Sequence, residues 1–261
     1  MSKIRVVIIG SGNVAEVLAR NISRNEAMVL CQIFARNELR GRYIAELVGA
    51  TWTGCGEELA VADIYIIAVS DRAVAELAAS LPLPDGALVV HTAGSVPLTA
   101  LPERGGRRGI LYLFQSFTAG RDIVLDDVPI FVEAESDEVR ERLMHFAGLI
   151  SHNVAYADSE RRRVIHLAGV LVNNFVNALY AAGCDVVGAE GLSFDVLKPL
   201  ISETALKALD SSNPRGVQTG PAVRGDFSVA ERHVAMLAEE PLLQRVYNDL
   251  TDYIWETSKR I

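Results

Sequence analysis

The feature that most constrains this chain is its beginning. A branched apolar run, Ile4 to Ile9, passes directly into Gly10-Ser-Gly12-Asn13-Val14-Ala15 and then into a helical pattern reaching Arg20. A strand, a tight glycine turn and a helix N-terminus in that order make the phosphate cradle of a dinucleotide-binding fold. Gly10 permits the turn, Gly12 lets the backbone approach the phosphates, and Ala15 is small enough for the helix to lie close on the strand. Asn13 and Val14 open the helix, whose free N–H groups and positive dipole end attract an anion. Glycines at this spacing also arise by chance, but a strand before them and a helix after them argue for cofactor binding.

The rest of the first half keeps to the same plan. Met28 to Phe34 reads as a second strand, ending at Ala35-Arg36-Asn37. A domain that prefers NAD usually carries an acid here to bond the ribose 2′-hydroxyl. None is present. Arg36 instead suits a 2′-phosphate, so NADP is expected, with NAD the alternative and a plain surface arginine the bland reading. Residues 37–49 follow as a helix, and Thr51 to Gly56 as a turn. Ile64 to Val69 is a continuous apolar strand of the doubly buried kind. It opens into Ser70-Asp71, just before a helix through Ala73 to Ser80. Ala87 to His91 runs into Thr92-Ala93-Gly94-Ser95, and Ile110 to Phe114 into Gln115-Ser116-Phe117. Ligands in this fold lie beyond the carboxyl ends of the strands. Ser70, Asp71 and Gly94 are therefore cofactor-edge candidates and Gln115 a substrate candidate, although Asp71 reads equally well as a helix cap. His91 is either a structural hydrogen-bonder or, as an imidazole, an acid–base group.

Strands and helices alternate through Pro129–Ala134, Asp137–Ile150 and Asn153–Ala157, and then the strand signal stops. The expectation is an α/β chain: an N-terminal Rossmann-type doubly wound sheet over residues 1–157, followed by an all-helical C-terminal domain over 158–261. Within the latter, Val164 to Ala182 is apolar nearly all round, which predicts a helix buried between domains or subunits. Its exceptions are His166, Asn173, Asn174 and Asn177. At about 100° per residue, His166, Asn173 and Asn177 fall within about 40° of one another. One reading has this stripe facing the cleft, with His166 as proton donor beside Asn173, and Asn174 and Asn177 positioning substrate. The other has it bonding neighbouring helices or a symmetry-related copy of itself. Ser193 to Ser211 reads as another helix, and a Gly- and Pro-punctuated loop over residues 213–226 supplies Thr219, Arg224 and Asp226. Arg224 suits a carboxylate. The bland alternatives are an Arg224–Asp226 pair and a helix cap.

Composition narrows the partners. A net charge of −8 argues against nucleic acid and anionic membranes as partners. The runs Arg104–Arg108 and Arg161–Arg163 read as solvated faces. Cys31, Cys55 and Cys184 lack the spacing of a disulfide framework or a metal site and fit a reducing cytoplasm. The N-terminal apolar run ends in the glycine turn and reads as a strand, not a signal segment. No uninterrupted stretch approaches the roughly 18 apolar residues of a membrane span.

These motifs together resemble the Rossmann-like DUF2520 family. The likeness rests on Gly10-Ser-Gly12-Asn13-Val14-Ala15, His91-Thr-Ala-Gly94-Ser95, Gln115-Ser-Phe117, the His166 helix with its asparagines, and Thr219-Gly-Pro221 running to Arg224-Gly-Asp226. The resemblance implies kinship with pyrroline-5-carboxylate reductase, F420-dependent NADP oxidoreductases and β-hydroxyacid dehydrogenases. It further implies a helical domain that dimerises and helps close the active site. The β-hydroxyacid dehydrogenases carry a catalytic Lys on the first long helix of the second domain. Here the only lysines are Lys3, Lys198, Lys207 and Lys259, so none lies on that helix. His166 is the candidate stand-in, and imine reduction the chemistry that asks less of an acid. The expected activity is NADP-dependent hydride transfer to or from a small imine, 2-oxo acid or 3-hydroxy acid in a cytoplasmic homodimer. A dinucleotide-binding sensor or partner protein without chemistry is the rival, and an F420 or flavin partner a third option.

Overall fold

The chain is described by a computed structural model covering residues 2–84, 86–103 and 107–259. Most of the Arg104–Arg108 run therefore lies outside the described residues. Eight strands form one sheet in the order β3-β2-β1-β4-β5-β6-β7-β8. They are β1 (Ile4–Ile9), β2 (Met28–Phe34), β3 (Thr51–Thr53), β4 (Ile64–Ile67), β5 (Leu88–His91), β6 (Arg108–Leu113), β7 (Ile130–Ala134) and β8 (Val154–Tyr156). All neighbouring pairs are parallel except β6 and β7. This is the doubly wound plan predicted from the sequence, with the chain reversing direction across the sheet between β1 and β4. Ligands bind at that switch point, outside the carboxyl ends of the strands.

The β-branched runs become central strands because both of their faces are covered. Val6 to Ile9 and all of β4 and β5 are buried. One face packs under α1 (Asn13–Arg24), α2 (Glu38–Val48) and α4 (Asp137–Gly148) through Leu18, Ile22, Ile44 and Phe146. The other packs under α3 (Val74–Ser80) through Val74 and Ala78. Burial on this scale is the dominant favourable contribution to folding. The ends of α2 show the local code at work. Asn37 caps it by accepting from Arg40 N at 3.0 Å, and Gly49 closes it in the left-handed region at φ 70°.

Four local expectations are corrected here. Thr51–Thr53, read as a turn, is the edge strand β3 paired with Gln32–Phe34, and three residues are too few to show a period of two. Asp71 caps nothing: Ser70 precedes a 3₁₀ turn over Asp71–Ala73 without a side-chain cap, and α3 begins at Val74. Asp71 instead accepts a hydrogen bond from the Ser95 hydroxyl. The segment Ser193–Ser211 is a 3₁₀ turn at Phe194–Val196 followed by α7 (Lys198–Leu209). Lastly, Arg162 and Arg108 are not solvated. Arg162 is fully buried, and Arg108, with its side chain 13% exposed, pairs with Glu103 at 3.1 Å and Glu135 at 3.0 Å.

Beyond β8 the described chain is helical, as expected from residue 158 onward. Its contacts divide it later, into a unit Met1–Asn173 and a unit Asn174–Ile261. Helix α5 (Ser159–Gly169) therefore belongs with the sheet, and α6 (Phe175–Ala189) with the second unit. Between them Val170–Asn174 forms a π-helical turn inside one continuous helix. That turn carries an extra residue, so the regular spacing that aligned His166 with Asn173 and Asn177 does not hold across it. Nor is this helix buried within the chain: Val164, Leu171, Val172 and Phe175 are between 52% and 70% exposed. By length and mean composition alone Ser159–Ala189 is long and apolar enough to cross a membrane, although His166, Asn173, Asn174 and Asn177 interrupt its apolar run. The second unit continues with α7, α8 (Pro221–Arg224), α9 (Phe227–Met236) and α10 (Pro241–Ser258). Thr257 is its sole buried residue among those described.

Candidate active site

The glycine turn separates two reasons for having no side chain. Gly10 sits at φ 131°, and a Cβ there would lie 2.2 Å from the Ala68 carbonyl oxygen, so β1 and β4 leave room for nothing larger. At Gly12 a Cβ would meet nothing within 4 Å. The fold tolerates a side chain at Gly12; the missing one leaves open the space in front of the α1 N-terminus. That is the cradle a pyrophosphate needs. Ala15 is fully buried against the sheet. Asn13 ties the turn to the opposite rim, donating from Nδ2 to the Phe117 carbonyl at 2.9 Å.

Two hollows of about 550 and about 590 Å³ meet at this turn and share Ser11, Arg36, Val69 and Ala73. The first runs over Gly10, Ala35, Asn37 and Gly54, on the side of β2 where an adenosine belongs. The second runs over Gly12, Asn13, Val14, Ser70, Gln115 and Phe117. Arg36 is exposed at the junction and makes no ion pair among the described residues. Of the cofactor candidates from the sequence, Gly10, Gly12, Asn13, Val14, Arg36 and Ser70 line these two hollows, whereas Ala15 is buried beneath the turn and Asp71 and Gly94 line neither; the residues present fit a phosphorylated dinucleotide.

A second cluster lies past β5. A Cβ at Gly94 would lie 2.7 Å from the Tyr112 ring and 2.8 Å from His166 Nδ1, so Gly94 is a glycine to admit two rings. The Tyr112 hydroxyl and His166 Nδ1 are 3.1 Å apart. Burial raises the Tyr112 phenol above its ordinary pKa, with Arg162 opposing and Asp71 reinforcing. Below them Arg162 donates from Nε to the Gly94 carbonyl at 3.1 Å and from Nη2 to the Val96 carbonyl at 2.5 Å. It also forms an ion pair with Glu133, whose carboxylate accepts from Ser159 Oγ at 2.8 Å. The side chain is 1% exposed. A cation so buried requires this density of partners.

His91 is a buried imidazole held neutral near neutral pH. It is fully buried, and its Nδ1 accepts from Ala93 N at 3.2 Å, while Nε2 has no hydrogen-bond partner. Burial, reinforced by the Arg162 charge, lowers its pKa from 6.5 to about 4, against a weaker raising influence of the Pro97 backbone. It is a neutral core group. Neither Tyr112 nor Arg162 was singled out from the sequence. Tyr112 lies inside an apolar strand pattern, and Arg162 inside a charge run that reads as solvent-facing. Asn174, Asn177, Thr219, Arg224 and Asp226 belong to the second unit. There Asp226 caps α9, accepting from Val229 N at 3.4 Å, and Arg224 makes no ion pair with it. Thr219 precedes Gly220, which at φ 114° opens the short helix α8.

Comparison with known proteins accords with this geometry. Residues 5–94 match the model for NADP oxidoreductases dependent on coenzyme F420, and residues 128–254 match the DUF2520 model, a domain of unknown function. A crystal structure from Bacteroides fragilis, described as a putative NADP oxidoreductase, is 37% identical, with a TM-score of 0.88, over 97% of this chain and 98% of its own. The chain belongs to the DUF2520 family. A Thermotoga maritima protein shares the fold at 20% identity with a TM-score of 0.81, covering 97% of this chain and 99% of its own. A reductive aminase from Aspergillus terreus, solved with NADPH and ethyl levulinate, shares the fold at 15% identity and a TM-score of 0.69, over 99% and 95% of the two chains. No curated protein matches the chain.

Proposed function

We propose that this protein is an NADP-dependent oxidoreductase that moves a hydride between the nicotinamide and a small metabolite. Imines head the substrate class, ahead of 2-oxo and 3-hydroxy acids. The observation that carries the reading is Gly12, a glycine the fold does not require, opening the helix N-terminus onto a groove that also presents the unpaired Arg36. Arg36 would hold a 2′-phosphate and the α1 N-terminus the pyrophosphate. When bound, NADPH supplies the hydride. The protein supplies position and a proton at His166, with Gln115 on the rim of the groove. The absence of a lysine on the Val164–Ala182 stretch, and the fold shared with the reductive aminase and with an imine reductase from Pseudomonas sp., favour C=N over C=O substrates.

The proposed assembly is a homodimer built through the helical region, in a reducing compartment that suits three free cysteines. A helical unit with one buried residue has no core of its own, so its apolar faces require cover. A second copy, not a lipid bilayer, is the inferred cover for the Ser159–Ala189 helix. The start of that helix is fixed in the sheet unit by Arg162, and Asn173, Asn174 and Asn177 interrupt its middle.

The test is a fluorescence titration with NADPH and NADH on the native protein and on Arg36→Ala. Trp52, 3.3 Å from the Cβ position of the groove residue Gly54, is the natural donor to bound nicotinamide. Loss of a charge-assisted contact of roughly 1.5–3 kcal/mol is expected to weaken NADPH by about ten- to a hundredfold while sparing NADH. Binding of neither nucleotide would sink the oxidoreductase reading in favour of a partner-binding module.

A further inference from the structure

We propose that Tyr112 is a positioning residue that fixes the tautomer of His166, holding the imidazole with its proton on Nε2. Tyr112 is 9% exposed, and among the described residues His166 Nδ1 is the one hydrogen-bond partner of its oxygen, at 3.1 Å. A hydrogen bond across that gap can run either way. If Nδ1–H donated to the phenol oxygen, the phenol proton would be left buried without an acceptor. If the phenol donates to Nδ1, both groups are satisfied by the one bond. The second arrangement places the ring proton on Nε2, and a neutral imidazole carries only one. Burial and Asp71 raise the phenol above its ordinary pKa, although Arg162 opposes them, so it keeps its proton to donate.

The surroundings support a device and not an incidental contact. Gly94 has no side chain because Tyr112 and His166 fill its Cβ space, so the loop after β5 is shaped to let the rings meet. Arg162 pins that loop by the Gly94 and Val96 carbonyls, and α5 carries both Arg162 and His166. The two rings stand 59° apart with centroids 6.1 Å apart, which is hydrogen-bonding and not stacked geometry. The charged groups acting on the Tyr112 phenol are Arg162 from α5 and Asp71 from the turn after β4; Glu133 from β7 reaches them through Arg162, and His91 from β5 lies within the field of the same two charges. Arg162 is paired with Glu133, and His91 is uncharged above pH of about 4. With Nδ1 engaged, Nε2–H is the free donor of the partly exposed His166 ring. Its use toward a developing amine or alkoxide rests on the hydride-transfer reading above; the tautomer itself does not.

The experiment is long-range nitrogen NMR of protein carrying ¹⁵N-labelled histidine, without any substrate. The His166 signals are assigned by their loss in His166→Gln, and Tyr112→Phe keeps the ring while removing the hydroxyl. The expected result in the native protein at a pH where the ring is neutral is one dominant Nε2–H pattern, with Nδ1 as an acceptor. Tyr112→Phe is expected to convert this into a mixture of tautomers without changing the thermal midpoint by more than a few degrees. An Nδ1–H pattern in the native protein, or an unchanged pattern in Tyr112→Phe, would overturn the proposal. Failure of NADPH to bind, with the tautomer as expected, would overturn the oxidoreductase reading alone.

Discussion

At the scale of single residues, neighbours decided what a side chain could do. His91 and His166 were both proton-transfer candidates in the sequence. Burial removes the first and leaves the second, because an imidazole without water or a counter-charge is held neutral. This has a measurable consequence. The unfolded chain takes up a proton at His91 near pH 6.5, whereas the folded protein does not until pH of about 4. Between those values the unfolded state binds more protons, so stability rises with pH, is complete above about 6.5 and is lost on acidification toward 4. Linkage puts the loss from this one group at about 2 kcal/mol between pH 8 and pH 5. Urea unfolding at the two pH values should show a smaller loss in His91→Gln, and equal losses would refute the assignment. The glycines give the complementary lesson. Sequence spacing named Gly10, Gly12 and Gly94 alike, yet one is excluded by a carbonyl, one faces open space and one yields to two rings.

At the scale of elements, legibility followed length and periodicity. Long apolar strands and capped helices such as β2 and α2 came out close to their structural bounds, because local propensity and burial agree there. The three-residue β3 was hidden, since too few residues carry the alternation. Helix α5 was misread in a more instructive way: Arg161, Arg162 and Arg163 look alike in sequence, and only packing shows that the middle one points inward. Arg162→Met should cost roughly 3–5 kcal/mol, because it leaves the Glu133 carboxylate without its cation and two loop carbonyls without a donor. Chemical denaturation would measure this, and a cost under about 1 kcal/mol would mean the ion pair contributes little. The π-helical turn at Val170–Asn174 was equally invisible, as nothing in the residue pattern marks where one extra residue enters a helix.

At the scale of the whole molecule, the exposed apolar helices are the controlling fact. Phe175, Leu200 and Leu209 are between 55% and 80% exposed, on a unit that buries almost nothing of its own among the described residues. Sedimentation at micromolar concentration should show a dimer, and Phe175→Asp should weaken it by about tenfold or more by placing a charge in a desolvated interface. A monodisperse monomer of the native protein would exclude the second copy as the cover. The sequence by itself determined the doubly wound sheet, its glycine turn, the arginine at the end of β2 and the change to helices after residue 157. Each of those is written in short-range pattern, where burial imposes a period and a turn demands particular residues. Only the tertiary structure decided that Tyr112 meets His166 over Gly94, that Arg162 is the buried clamp beneath them and that His91 is kept neutral. Those contacts join residues from different strands and helices, and the forces behind them, desolvation above all, depend on what surrounds a group and not on what precedes it in the chain.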